Sequence, residues 1–293
     1  MAERLEASEV VLADGAIGTI LMACGLEAGA CPEAFGSEHP EVLEEIARAY
    51  AEAGADLVQA NTFGASPLKL EAYGLEARTR EIVLHAVEAA RRGAAGRALV
   101  YGSCGPSGRL LEPWGDVSED AVRESFAVTM EAFAEAGVDA VFVETMTDLG
   151  EAAIAVRAAR EAMPRVPVVA TMTFDRTERG FFTIMGTSVE AACRALEDAG
   201  ATAVGSNCGQ GSDAMVEIAR EFRRLARVPV AIQPNAGIPK ASMSGVVWPE
   251  TPTVMTERIR ELVGLGVSIV GGCCGTTPEH VLAFRAAIDG HPL

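Results

Sequence analysis

The sequence predicts a closed (β/α)8 barrel, and three observations point to it. First, a short phrase recurs, in which a helix-like stretch ends in glycine and an apolar run with a small polar cluster follows. It reads EAGADLVQANTF around Gly54, EAGVDAVFVETM around Gly137, DAGATAVGSNCG around Gly200 and GLGVSIVGGCCG around Gly266. Glycine tolerates the left-handed conformation that ends a helix, so each phrase reads as helix, stop, strand. Second, four further apolar runs interleave with these copies, making eight strand candidates: Val10–Ala13, Ala98–Gly102, Val166–Thr171 and Pro229–Gln233. Third, 293 residues, about half of them apolar, supply one barrel-sized core.

The elements follow in order. The strand candidates are continuous apolar runs rather than alternating ones, the pattern of a parallel sheet covered on both faces. Amphipathic stretches separate them, including Pro40–Ala53, Glu119–Ala136, Leu149–Met163 and Thr253–Leu265. Pro40 and Pro278 fall where a first helical turn tolerates proline. No Pro/Gly/Ser-rich linker divides the chain, so a single barrel over residues 1–293 is expected.

Charge and leader signals narrow the function classes. The formal net charge of −17 repels phosphate backbones and anionic membranes, which argues against nucleic-acid and membrane partners. The start MAERLEASEVVLADG lacks the basic opening and apolar core of a signal peptide. No run approaches the roughly 20 apolar residues of a membrane span, so a cytoplasmic protein is expected. In a reducing compartment the seven cysteines read as thiols or metal ligands rather than disulfides.

In a barrel of this kind the reactive groups sit where strands end and βα loops begin. Those positions hold Asp14, Asn61, Ser103–Cys104, Glu144, Thr173–Asp175, Asn207–Cys208, Asn235 and Cys273–Cys274. Cys208 closes the sixth strand and Cys273 and Cys274 the eighth, on either side of the seventh. Three thiolates with one position left open describe a catalytic metal site. Adjacent strand residues ordinarily face opposite ways, but Gly271, Gly272 and Gly275 free the backbone to aim both sulfurs at one ion. Spacing alone leaves two other readings open: buried thiols, and a strained vicinal disulfide with redox chemistry. Cys104 and Cys193 read as small buried hydrophobes, and Cys24 and Cys31 have no assigned role.

The segments VVLADGAIGT, ADLVQANTFGAS, VFVETM, GSNCGQG, QPNAGIP and VGGCCGTTPEH, in this order from about Asp14 to His280, resemble the homocysteine S-methyltransferase family. That family includes the homocysteine-binding module of cobalamin-dependent methionine synthase and the betaine- and S-methylmethionine-dependent enzymes. The resemblance implies a barrel with Zn2+ on Cys208, Cys273 and Cys274 and homocysteine as substrate. Zinc in such a site takes the substrate sulfur at its open position and holds it as thiolate, the nucleophilic form. No protein base is then needed, and His39, His85, His280 and His291 are scattered. The substrate ammonium is expected at Glu144, with Asp14 as helper, both matching acidic positions of the family. The carboxylate is expected on backbone N–H groups of the turn Gly15-Ala16-Ile17-Gly18-Thr19, around Gly18 and Thr19. Asn235 is a candidate fourth zinc ligand before substrate displaces it, or a turn former; Asn61 lines the pocket or shapes a turn.

One barrel uses up the chain, leaving no room for a cobalamin or folate domain, so the methyl group is expected to come from outside. Residues 234–239 and 246–249 resemble the bacterial methionine-synthase module, which favours methylcobalamin on a separate corrinoid protein or domain. A sulfonium or betaine-type donor is the alternative, and a quaternary ammonium favours an aromatic cage. Phe63, Tyr73, Trp114, Phe174, Phe181 and Phe182 are the candidates for one. A non-catalytic zinc-binding barrel or assembly module is the remaining reading. The chain suits either a stand-alone enzyme or a module of a longer one.

Overall fold

The computed structural model describes residues 1, 4, 5, 7, 9–242 and 245–290. Its centre is eight parallel strands: β1 (Val11–Leu12), β2 (Leu57–Ala60), β3 (Leu99–Cys104), β4 (Ala140–Met146), β5 (Val168–Met172), β6 (Ala203–Asn207), β7 (Val230–Gln233) and β8 (Ile269–Val270). Each pairs with its sequence neighbours, and β8 returns to β1 through Val11↔Ile269 and Leu12↔Val270. A bridge between Ala13 and Leu57 joins β1 to β2, so the sheet closes into the expected barrel.

The strands alternate with period two once they are closed. Leu12, Val58, Val100, Val141, Val168, Val204, Val230 and Val270 face outward into the main core against the helices. A separate inner cluster contains Val11, Leu57, Tyr101, Phe142, Val169 and Ile269. Two residues further along several strands, the same inward face turns polar: Gln59, Ser103, Glu144, Thr171 and Gln233 are all buried or half-buried there. The barrel is therefore apolar below and polar at its C-terminal mouth. This gradient makes the mouth the place for chemistry.

The helices lie close to their expected bounds: Pro40–Glu52, Glu119–Ala136, Leu149–Ala162 and Pro252–Gly264. Pro40 and Pro278 each stand in a first helical turn. The four glycines of the recurring phrase adopt φ of +92°, +68°, +100° and +80° at Gly54, Gly137, Gly200 and Gly266. An L side chain there would be strained, which explains the repeat. No helix among the described residues is long and apolar enough to cross a membrane.

Two antiparallel ribbons were not expected. Asp175–Thr177 pairs with Gly180–Phe182, and Lys240–Ser242 pairs with Gly245–Val247. The first carries Asp175 out of the strand-end set; it is exposed and accepts a bond from Gln210 Nε2 at 3.1 Å. Strand eight also ends earlier than its apolar run suggests. It stops at Val270, and Cys273 and Cys274 stand beyond it where the pleat no longer applies. Neighbouring sulfurs can then face one side.

Candidate metal and substrate site

The loops after β6 and β8 bring the three expected cysteines together. Cys208, Cys273 and Cys274 place their sulfurs within 4.8 Å of one another, with Cys208 Sγ and Cys274 Sγ 4.0 Å apart. Thiolates bound about 2.3 Å from one tetrahedral ion stand about 3.8 Å from each other, so the trio fits a single metal. Backbone bonds fix the arrangement: Cys273 N–H donates to Pro234 O at 2.8 Å, and Ala236 N–H to Cys274 O at 2.9 Å. Cys208 has φ of +60°, a left-handed conformation rare outside glycine and found where neighbouring structure enforces it.

As a bare trio the sulfurs share negative charge. Thiol hydrogen bonds from Cys273 and Cys274 pull Cys208 down, and the same interactions push Cys273 well above the usual thiol range. A cation is what would let all three ionise. Asn235, on the loop after β7, adds to the pull that lowers the Cys208 thiol. It is buried, and its Oδ1 finds no partner. A buried carbonyl oxygen left without a donor is compatible with the expected role of Asn235 as a metal ligand.

The sulfurs open into a cavity of about 350 Å³. That lies at the small end of the roughly 300–1,000 Å³ typical of ligand pockets and suits a small substrate. Glu144, Gly18, Thr19, Asn61, Gln59 and Glu33 are among its walls. Glu144 Oε1 accepts from Gln59 Nε2 at 2.8 Å and from Ser103 Oγ; Oε2 accepts from Asn207 Nδ2 at 3.2 Å. Burial pushes the Glu144 carboxyl up to about 7, against the pull of the Ser103 and Gln59 bonds.

Asp14, expected as a helper at the ammonium, lies one layer deeper and does not line the cavity. Its Oδ2 accepts the Gln59 N–H at 2.7 Å and its Oδ1 the Tyr101 hydroxyl at 2.9 Å. Burial pushes it up to about 7 as well. In the turn after β1, Ala16 N–H is taken by Thr276 Oγ1 at 3.2 Å. The N–H groups of Ile17, Gly18 and Thr19 find no acceptor among the described residues, and all three residues line the cavity. Asn61 lines the cavity and donates to Pro32 O at 2.8 Å, a contact across 29 residues rather than within its own turn.

The residue that ties the two halves together, Asn207, stood in the strand-end set without an assigned role. Asn207 Oδ1 accepts from Thr145 N–H and Thr171 Oγ1, each at 2.7 Å, and its Nδ2 donates to Glu144 and leans on Cys273 Sγ at 3.7 Å. It links the carboxylate to the sulfurs and pins Thr145, which has φ of +60°. Gln59 was missed, although a glutamine inside an apolar strand run was its signal. Of the six aromatics expected as cage candidates, Phe63 alone lines the cavity. Phe174 is packed on Phe222, Phe181 and Phe182 sit on the first ribbon under Arg176 and Arg179, and Trp114 points to solvent. Cys104 and Cys193 are buried, as expected.

The architecture has solved counterparts. The homocysteine methyltransferase MmuM from Escherichia coli, in its metallated form, superposes with a TM-score of 0.77 over 95% of this chain and 96% of that one, at 24% identity. A methyltransferase from Methanosarcina mazei follows at 0.61 and 14% identity, covering 96% of this chain and 94% of that one. These likenesses show the fold. Among curated sequences, a protein named methionine synthase from Mycobacterium tuberculosis is 36% identical over 298 residues, covering 95% of this chain and 24% of that protein. Its counterpart from Mycobacterium leprae is 35% identical, over 96% of this chain and again 24% of the relative. The chain thus spans about a quarter of the length of these relatives. The sequence model of the family described as homocysteine S-methyltransferase matches residues 11–288, and the chain belongs to that family.

Proposed function

We propose that the chain transfers a methyl group to the thiolate of homocysteine, giving methionine, with Zn2+ on Cys208, Cys273 and Cys274 and a methyl-corrinoid as donor. One observation carries the reading: three convergent sulfurs open into the same small cavity as a buried carboxylate. When bound there, zinc supplies the positive charge that keeps a substrate sulfur ionised at neutral pH. Glu144 holds the substrate ammonium, with Gln59, Ser103 and Asn207 fixing its two oxygens. The amides of Ile17, Gly18 and Thr19 receive the carboxylate. Asp14 acts on the substrate through Gln59 and Tyr101 rather than by contact. Asn235 covers the open metal position until the substrate sulfur arrives. These groups orient the sulfur toward the mouth; no side chain is assigned to take its proton.

The donor assignment rests on three supports. The relatives named methionine synthase support the resemblance of residues 234–239 and 246–249 to that module. The candidate aromatics do not form a cage for a quaternary ammonium. Exposed apolar side chains also stand on the segments between strands and their helices, a rim at the C-terminal end of the barrel that includes Phe63 at the cavity and Met22, Trp114, Ile184, Ile238 and Val246. Such a rim fits a protein-carried donor covering the cavity better than a small one diffusing in. The test is a donor panel with homocysteine: methylcobalamin, S-methylmethionine, S-adenosylmethionine, betaine and methyl-folate. Methionine should form fastest from methylcobalamin. A faster rate from any small sulfonium or ammonium donor overturns the donor assignment, and no methionine from any of them favours a non-catalytic barrel.

A further inference from the structure

The three sulfurs come from the loops after β6 and β8, and one residue bonds to neighbours in both of these regions and in the loop after β7 between them. The helix Ser212–Leu225 follows Cys208 and is capped by Gly211, which has no side chain to offer. Its Ser212 N–H donates instead to the Glu250 carboxylate, at 3.1 and 3.3 Å. A carboxylate at a helix start also meets the positive end of the helix dipole. The Glu250 N–H donates to Ala236 O at 3.0 Å in the loop after β7. The Glu250 carbonyl takes His280 Nε2 at 3.1 Å, on the helix that follows Cys274. His280 Nδ1 accepts the Thr277 N–H at 3.2 Å, which leaves the ring proton on Nε2 to donate.

Packing repeats the same pattern. Trp248-Pro249-Glu250 lies against one glycine from each of the three loops. A Cβ on Gly211 would strike the Glu250 carboxylate, and one on Gly275 would strike the Trp248 indole. On Gly237 it would stand 2.8 Å from Pro249 Cγ and 3.0 Å from Glu250 Cγ. Segment 248–250 thus sits in a seam made by the loops after β6, β7 and β8.

We infer that Glu250 is a clasp that holds the two cysteine-bearing loops and the loop after β7 between them in register, a positioning residue for the metal trio. The inference rests on the three-thiolate zinc reading. Metal–sulfur distances tolerate shifts of only about 0.2 Å, so a contact that adds to the backbone bonds between these loops bears on how firmly the ion is held.

The test is the rate at which the zinc-loaded chain gives up its metal to excess chromogenic chelator. Glu250→Ala should release zinc about tenfold faster, the lower range for supporting groups around a metal site. Glu250→Gln keeps an acceptor for Ser212 and should stay within about twofold of the parent. Gly211→Ala, at an ordinary φ of −74°, displaces the same carboxylate. It should speed release in the parent chain and add little on top of Glu250→Ala, because the two changes break one contact. If Glu250→Ala does not fold, the Gly211→Ala and Glu250→Gln pair decides the matter alone. Parent-like release in Glu250→Ala or Gly211→Ala, with only a lowered Tm of the metal-free chain, overturns the clasp. A parent chain that keeps no zinc overturns the three-thiolate reading, and the clasp with it.

Discussion

Replacing Cys273 with alanine is expected to take the protein from about one tightly held zinc per chain to none, while the barrel stays folded. The sulfurs form one ligand set, and removing one leaves two thiolates and a neutral amide, too little charge to hold a dication against a chelator. Cys208→Ser and Cys274→Ser should behave alike, because a hydroxyl is a poor substitute for thiolate on zinc. The fold should persist because its two apolar clusters owe nothing to the metal: the inner one lies below the mouth and the outer one under the helices. Metal analysis after dialysis and far-UV circular dichroism check both halves. Zinc retained by Cys273→Ala contradicts the three-cysteine assignment, and collapse on chelation shows that the site also supports the fold.

Glu144→Gln should weaken homocysteine binding about tenfold to a hundredfold with zinc content unchanged. The substitution preserves shape but removes a charge-assisted bond to the ammonium, which contributes roughly 1.5–3 kcal/mol. A thiol without the amino group, such as 3-mercaptopropionate, should bind both proteins almost equally. Equal losses for both thiols would mean that Glu144 supports the site as a whole, and unchanged homocysteine affinity would place the ammonium elsewhere.

The same carboxylate predicts a pH dependence. In the free protein burial holds Glu144 near 7, far above the usual range, so it is largely protonated in mild acid. Ammonium binding requires the ionised form. Methionine, which has no thiol proton to confuse the result, should therefore bind progressively more weakly as pH falls below about 7, approaching tenfold per unit. In Glu144→Gln that slope should flatten toward the residual contributed by Asp14, whose carboxyl also sits near 7. An identical slope in both proteins would assign the titration to another group.

How much of this was legible in the sequence follows from the range of each interaction. The barrel was readable because each of its parts is local: a left-handed glycine, an apolar run, a proline in a first turn. The cysteine trio was readable because parallel barrel topology puts alternate strand ends side by side without further information. The Cys273–Cys274 pair looked awkward only while both were placed on a strand; two glycines after Val270 end the pleat first. Asn207, Gln59 and Glu250 act through contacts 30 to 85 residues away in sequence, which no local pattern encodes. Asp14 was expected near the substrate because it ends a strand and matches an acidic position of the family; that Tyr101 from β3 bonds its Oδ1 and the Gln59 amide its Oδ2 depends on contacts 45 to 87 residues away. The two ribbons escaped notice because three-residue strands on exposed loops carry no hydrophobic period.

The central claim is that the substrate sulfur joins three cysteine sulfurs on one metal. X-ray absorption at the zinc edge, before and after homocysteine, tests this directly. The free protein should show three sulfurs at about 2.3 Å and one lighter neighbour, and homocysteine should convert this to four sulfurs at the same distance. A coordination shell that keeps its lighter neighbour and gains no sulfur, at homocysteine concentrations that saturate binding, would contradict the account.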